Sequence, residues 1–240
     1  MAITEARNAQ GMLYGAYIGK MKYLIDTMEN SSMEELDDFI SNIKLMTQIL
    51  TSINTKDHVC PKDICDRVSN TKYTGSILYS ISPLAFADIF GCHYKLGDVV
   101  AQVASAANSS DQIKNLCVEY IYLLHDILWF KIDKDGILEI LPELDVLESE
   151  VVCSDNEQDV FFAALWSFVF SEDYTSCYEN AANLKNTNSD ITGLACTFAG
   201  LYYGLNSIPT DWAVQVFESY PVDEGDVASG DLPVLKVEQD

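Results

Sequence analysis

A chain of 240 residues, 48% hydrophobic and only 21% charged, has material for one large domain or two small ones around a substantial core. Its 37 acidic against 14 basic residues leave a net charge of -23, which repels phosphate backbones and anionic headgroups. This argues against direct nucleic-acid or membrane-surface binding and favours a basic partner surface.

In chain order, the first predicted element is a buried helix around Met12, Tyr14, Ala16 and Ile18, with Gly11, Gly15 and Gly19 on close-packing faces. The apolar run there is short and interrupted by glycine, and Glu5 and Arg7 precede it, so it makes neither a secretory leader nor a membrane span. Leu36, Phe39, Ile40, Ile43, Met46, Thr47 and Leu50 repeat at three and four and predict a second helix. His58, Cys60 and Cys65 form H-x-C-x4-C, which lacks the fourth ligand of a structural zinc site.

Ser82-Pro83 predicts a helix start or tight junction, Gly91 a break, and Leu96 to Ala107 a further helix. Asp111 is the expected N-cap of an amphipathic helix carrying Ile113, Leu116, Tyr120, Leu124 and Leu128, with His125 in or beside the core. Lys131 to Gly136 reads as a surface turn, since DKDG has no closing glutamate for a calcium loop. Helices are then expected over 159–170, 174–184 and 191–205, the last with Gly193, Gly200 and Gly204. No segment alternates with strand period. The seven cysteines have no regular spacing, and their odd number points to a reducing, cytoplasmic setting. The reading is a single all-α domain over 1–220, a compact orthogonal multi-helix bundle, followed by an acidic, flexible tail over 221–240.

Four segments, in order, resemble the motifs of the ADP-ribosylglycohydrolases, a family that includes the jellyfish J-crystallins. Gly11 to Gly19, GMLYGAYIG, is similar to the first nine positions of GxLLGxxIGDALG. Ser41 to Thr47 resembles T-D-D-T-Q-M-T, with Asn42 and Ile43 in place of its aspartates. Gly75 to Ala85 resembles a segment ending SPLA. Lys185 to Trp212 resembles G-G-D-x-D-T followed by AYYGxxxIPxxW, with Thr187 and Ser189 at the aspartate positions and Asp190 at the threonine. The most specific part is GLYYGLNSIPTDW.

The resemblance implies an all-α fold and a site built from Ser41, Asn42, Lys44, Gly75, Ser76, Asn188, Ser189 and Asp190. In the family two Mg2+ ions sit among carboxylate and hydroxyl oxygens, and Mg2+ demands hard, mostly anionic ligands. Asn42, Ile43, Thr187 and Ser189 are neutral, so the metal positions are degraded and no cofactor is expected. Lys44 would repel a cation or stand in for one beside a pyrophosphate. The remaining carboxylates are Asp190, with Asp26 or Asp37 as further candidates.

The favoured expectation is a catalytically inactive homologue that binds a basic protein surface or an ADP-ribosyl group; a DNA-mimic inhibitor is its acidic variant. The alternatives are an active hydrolase that recruits Mg2+ through Asp190, and a crystallin-like scaffold. Gly193, Gly200, Gly204, Tyr202, Tyr203 and Trp212 read more simply as packing positions than as nucleotide contacts. Ser189 and Asp190 read as a helix cap.

Overall fold

The computed structural model describes residues 3–27, 39, 42, 43, 45, 46, 49, 61–69, 76–87, 95–107 and 109–219, with side chains in the first helix from Asn8 onward. The described chain is all helical. Helix α1 is Ile3–Thr27, α2 Pro61–Ser69, α3 Ile77–Ile81, α4 Leu96–Ala106 and α5 Asp111–His125. Then come α6 Lys134–Ile140, α7 Glu157–Val169, α8 Tyr174–Asn183, α9 Ser189–Tyr203 and α10 Thr210–Ser219.

Helices α1 and α9 form the centre, and both are apolar on nearly every side. From Ile191 to Leu201 every residue of α9 is buried, as are Met12, Leu13, Ala16, Tyr17, Ile18 and Met21 of α1. A helix without a polar face must be enclosed by others. Here α7 and α8 pack on α9, and α10 packs on α1 through Phe217, whose ring lies 5.6 Å from that of Tyr17.

The two central helices run antiparallel, because Gly11 lies against Gly200 while Gly19, two turns on, lies against Thr192 and Cys196. A Cβ on Gly200 would stand 1.9 Å from the carbonyl oxygen of Gly11, and one on Gly11 2.2 Å from that of Gly200. Backbone meets backbone at this crossing, so the lost helix propensity of the glycines, about 1 kcal/mol each, is offset by contacts no larger residue permits. Gly204, at φ +83°, ends α9, and its N–H returns to the Gly200 carbonyl.

A second layer of aromatic rings joins α9 to α5 and α7. Phe198 lies 5.6 Å from both Tyr120 and Phe168, and Phe161 lies 6.0 Å from Tyr120. The Tyr120 hydroxyl pairs with the Ser82 hydroxyl at 2.6 Å, which satisfies both in the core.

Several local expectations are corrected. Ser110, not Asp111, caps α5 by accepting from the Ile113 N–H at 3.3 Å. At Ser82-Pro83 the structure has the tight junction of the two expected alternatives: α3 ends at Ile81, and Pro83 sits in the first turn of the 3-10 segment Ser82–Phe86, where its missing N–H is tolerated. Lys131 to Gly136 is no free surface turn, since Asp133 accepts from the Gly136 N–H at 2.9 Å and starts α6. Gly204 lies beyond α9 rather than within it, and Tyr202 is 37% exposed rather than core.

The predicted helix around Leu36 to Leu50 is described only at Phe39, Asn42, Ile43, Leu45, Met46 and Ile49, each helical. His58, Cys60 and the segment after Ser219 lie outside the described residues. No helix among the described residues is long and apolar enough to cross a membrane.

Candidate functional site

Helix α3 draws the separated motif segments together. Ser76, its N-cap, donates to Oε2 of Glu157 at the start of α7, 2.6 Å away, and the Ile77 N–H donates to Oε1 at 3.1 Å. Tyr79 donates its hydroxyl to the Asp190 carbonyl at the start of α9, 2.6 Å away. Ser80 donates to Oδ1 of the buried Asn42 at 3.0 Å. The Tyr79 ring also meets Phe39 edge-on, 5.4 Å between centroids. Gly193 admits Tyr79: a Cβ there would lie 2.5 Å from its hydroxyl.

Into this junction α1 sends Lys20. Its ammonium forms an ion pair with Oδ1 of Asp190, and both side chains are largely buried. The same nitrogen stands 4.9 Å from the Phe39 ring centroid and 5.8 Å from that of Tyr79. Ring faces carry partial negative charge, so they complete the surroundings of a cation whose full countercharge is Asp190.

Glu157 is the second acidic group here. Burial raises its pKa above the usual carboxylate range and the Asp190 charge raises it further, while the bonds from Ser76 and Ile77 oppose both. Burial also pushes the Tyr79 hydroxyl well above its ordinary value, with Asp190 adding to the rise. It therefore acts as a donor and not as a base.

The expected site residues divide into three groups. Asn42, Ser76 and Asp190 are brought together, through α3. Asn188 and Ser189 serve the helix end: Asn188 is the N-cap of α9, accepting from Asp190 and Ile191, and Ser189 is the first helical residue. That corrects the expectation that Ser189 and Asp190 form the cap. Asn188 also donates to Oδ1 of Asp155 at 3.2 Å, tying the start of α9 to the segment before α7. Ser41, Lys44 and Gly75 lie outside the described residues, as does Asp37. Asp26 is engaged elsewhere, by Lys22 and by the Tyr178 hydroxyl at 2.7 Å.

Among the described residues, the donors at the expected metal positions do not fit Mg2+. Ile43 packs against the core and offers no ligand atom. Thr187 holds its carbonyl toward Tyr23, and its buried Oγ1 has no partner among the described residues. A neutral hydroxyl and a neutral amide do not supply the anionic octahedron the ion requires, and the Lys20 ammonium repels it. Among the described residues no group of three His, Cys, Asp or Glu side chains is placed to hold a metal.

Sequence reasoning missed Lys20, Tyr79 and Glu157. Lys20 had a signal, as a lysine directly after nine matched positions in an apolar helix. Glu157 was hidden in a long acidic run, and Tyr79 in an apolar one. The buried thiols are inert: burial pushes Cys117 and Cys196 up to about 12, far from the thiolate a nucleophile needs.

Comparison of the chain with protein-family models, with curated proteins and with solved structures gave no match.

Proposed function

We propose that this chain is a divergent, catalytically inactive relative of the ADP-ribosylglycohydrolases that works by binding a protein. The observation that carries the reading is the ion pair between Lys20 and Asp190. In the motif GxLLGxxIGDALG the position after the ninth match is Asp, and here it is Lys20. A fixed internal cation thus stands beside the carboxylate that the active alternative needs for Mg2+. Charge that would otherwise attract a divalent ion is neutralised within the fold.

Four further polar side chains of the junction are similarly occupied. Glu157 holds the start of α3, Asn188 caps α9, Tyr79 bonds the Asp190 carbonyl and Ser80 bonds Asn42. Side chains committed to closing the fold are poor recognition groups for a ribose or pyrophosphate, and this favours a protein partner over an ADP-ribosyl group. The net charge of -23 favours a basic one.

Release of ADP-ribose from modified arginine and serine, measured with and without Mg2+, tests the proposal together with calorimetry against free ADP-ribose. The expected outcome is no release and no heat of binding. Mg2+-dependent release that Asp190→Ala abolishes would overturn it in favour of an active hydrolase. Tight ADP-ribose binding without metal would replace the protein partner by nucleotide sequestration.

A further inference from the structure

Helix α5 runs on into a π-helical turn over Asp126–Phe130, closed by the Lys131 N–H, which donates to the Asp126 carbonyl five residues back. The Ile132 N–H reaches the same oxygen at 3.3 Å, and Lys131 leaves the turn in the left-handed region at φ +55°. A regular α-helix carries residue i+5 about 140° around the axis from residue i. The wider turn instead returns Phe130 to the side of His125. The His125 ring thus lies 5.7 Å from that of Phe130 and 6.2 Å from that of Trp129.

The two halves of this turn are held very differently. Ile127 and Leu128 are buried, and the Trp129 indole N–H donates to the Ala85 carbonyl at 3.1 Å. Phe130 is 66% exposed, yet the His125 beside it is only 2% exposed. Moving Phe130 aside therefore gives up little apolar burial, while it opens the ring of a buried histidine to water.

The imidazole is poorly compensated where it stands. Its Nδ1 lies 3.7 Å from Oδ1 of Asp126, longer than a hydrogen bond, and the Asp126 side chain is 38% exposed. Burial lowers the pKa of the ring, and the Asp126 charge works against that. Ser82–Phe86, α3, α4, α7 and α9 pack against α5 or this turn, and from none of them does an ionisable side chain among the described residues shift the ring. Tilted at 41° and 57°, the two aromatic rings do not present their faces squarely, so they compensate a cation less well than water does.

We propose that His125 is a proton-operated latch: on taking up a proton its ring turns out to Asp126, displaces Phe130 and opens the π-helical turn. The open arrangement, with the ring in water beside a carboxylate, holds the proton more tightly than the closed one. Its population rises as pH falls below about 6.5, and the latch is shut above that. The device stands whether or not the chain hydrolyses or binds an ADP-ribosyl group.

Histidine ring NMR and amide hydrogen exchange of the full chain, from about pH 7.5 to about pH 5, test the latch. The His125 signal, one of three, is the one missing from His125→Gln. It is expected to titrate below about 6.5. Protection of the Lys131 amide, corrected for the intrinsic pH dependence of exchange, is expected to fall at least about tenfold in the same step, while the amides of α9 keep theirs. In His125→Gln the Lys131 amide is expected not to respond. Phe130→Ala, at an exposed position, is expected to raise the histidine midpoint toward the ordinary value, and Asp126→Asn to lower it by about 0.3 pH unit or more. These two shifts also identify the signal should His125→Gln not fold. A midpoint at or above about 6.5 in the parent, a midpoint unmoved in both variants, Lys131 protection that ignores the ring, or protection lost equally from α9 would each overturn the latch.

Discussion

Helices α1 and α9 meet in two different ways along one antiparallel crossing. In the middle, around Gly11, Gly15 and Gly200, the contact is backbone on backbone and contains no charge. At the end where α9 begins, the same pair meets through Lys20 and Asp190, ringed by Phe39 and Tyr79. The glycine crossing leaves no room for an added atom, whereas the charged end is held by side chains that depend on each other for their countercharge. Shape is thus fixed in the centre of the pair by backbone contact, and at its end by a paired cation and carboxylate.

The sharpest way to break this contrast is Gly200→Ala. Its Cβ would collide with backbone that cannot move aside, so a loss of at least about 3 kcal/mol in urea unfolding is expected. Gly97→Ala is the control, because its Cβ would meet only side chains, Tyr122 at 3.1 Å and Val118 at 3.4 Å, and no backbone. It should stay within about 1 kcal/mol of the parent.

At the charged end, Lys20→Ala and Asp190→Ala should each cost about 1–3 kcal/mol, since each leaves a partly buried charge alone. The paired change Lys20→Met/Asp190→Asn should cost less than the sum, with coupling of about 1 kcal/mol or more in a double-mutant cycle. Strict additivity would show that the two groups do not act as a pair.

Lys134 gives a smaller, pH-dependent effect. Burial pulls its pKa down to about 8, against opposing contributions from Cys177, Asp173 and Glu172. Below about pH 8 it is charged in both states. Between there and the ordinary lysine value near about 10.4, the unfolded chain holds a proton the folded one has released, so folding stability rises with pH. Because the group is half exposed, solvent screening reduces the gain to about 1 kcal/mol. Subtracting the pH profile of Lys134→Met from that of the parent should isolate this rise over the effects of the buried tyrosines.

The smallest effect is expected at Glu157, whose pKa is raised in the fold. Its contribution is present at low pH and lost as pH rises from the ordinary glutamate value through the raised one. Glu157→Gln keeps an acceptor for the Ile77 N–H and removes the charge beside Asp190. It should stabilise the protein by a few tenths to about 1 kcal/mol at neutral pH, an advantage that disappears near about pH 4. Destabilisation at neutral pH would mean that the carboxylate is needed ionised.

The helical architecture was legible because apolar residues at three and four spacing are a local signal, as in Ile113 to Leu128, and because the glycines of α1 and α9 mark close approach. Helix ends were less legible: Ser110, Asp133 and Asn188 compete with neighbouring polar residues for the cap, and backbone geometry decides among them. The junction was half legible. Asp190, Asn42 and Ser76 could be named from motif positions, yet the partners that define their chemistry are 170 residues away for Lys20 and Asp190, and 81 for Ser76 and Glu157. No periodicity reports a contact at that separation. A lysine in DKDG reads as solvated, and only the fold brings the Ser171 and Tyr203 hydroxyls and the Phe168 ring to Lys134.

The glycine crossing also constrains how the chain can be made. Helix α1 leaves the ribosome well before its mate α9, which ends at Tyr203, so at roughly 5–20 residues per second it waits on the order of 10–35 s before it can dock. During that interval the glycine face of α1 lacks the helix it packs against. Nascent-chain capture should therefore find chaperones on α1 until translation has passed the end of α9, and slowing translation should lengthen that occupancy.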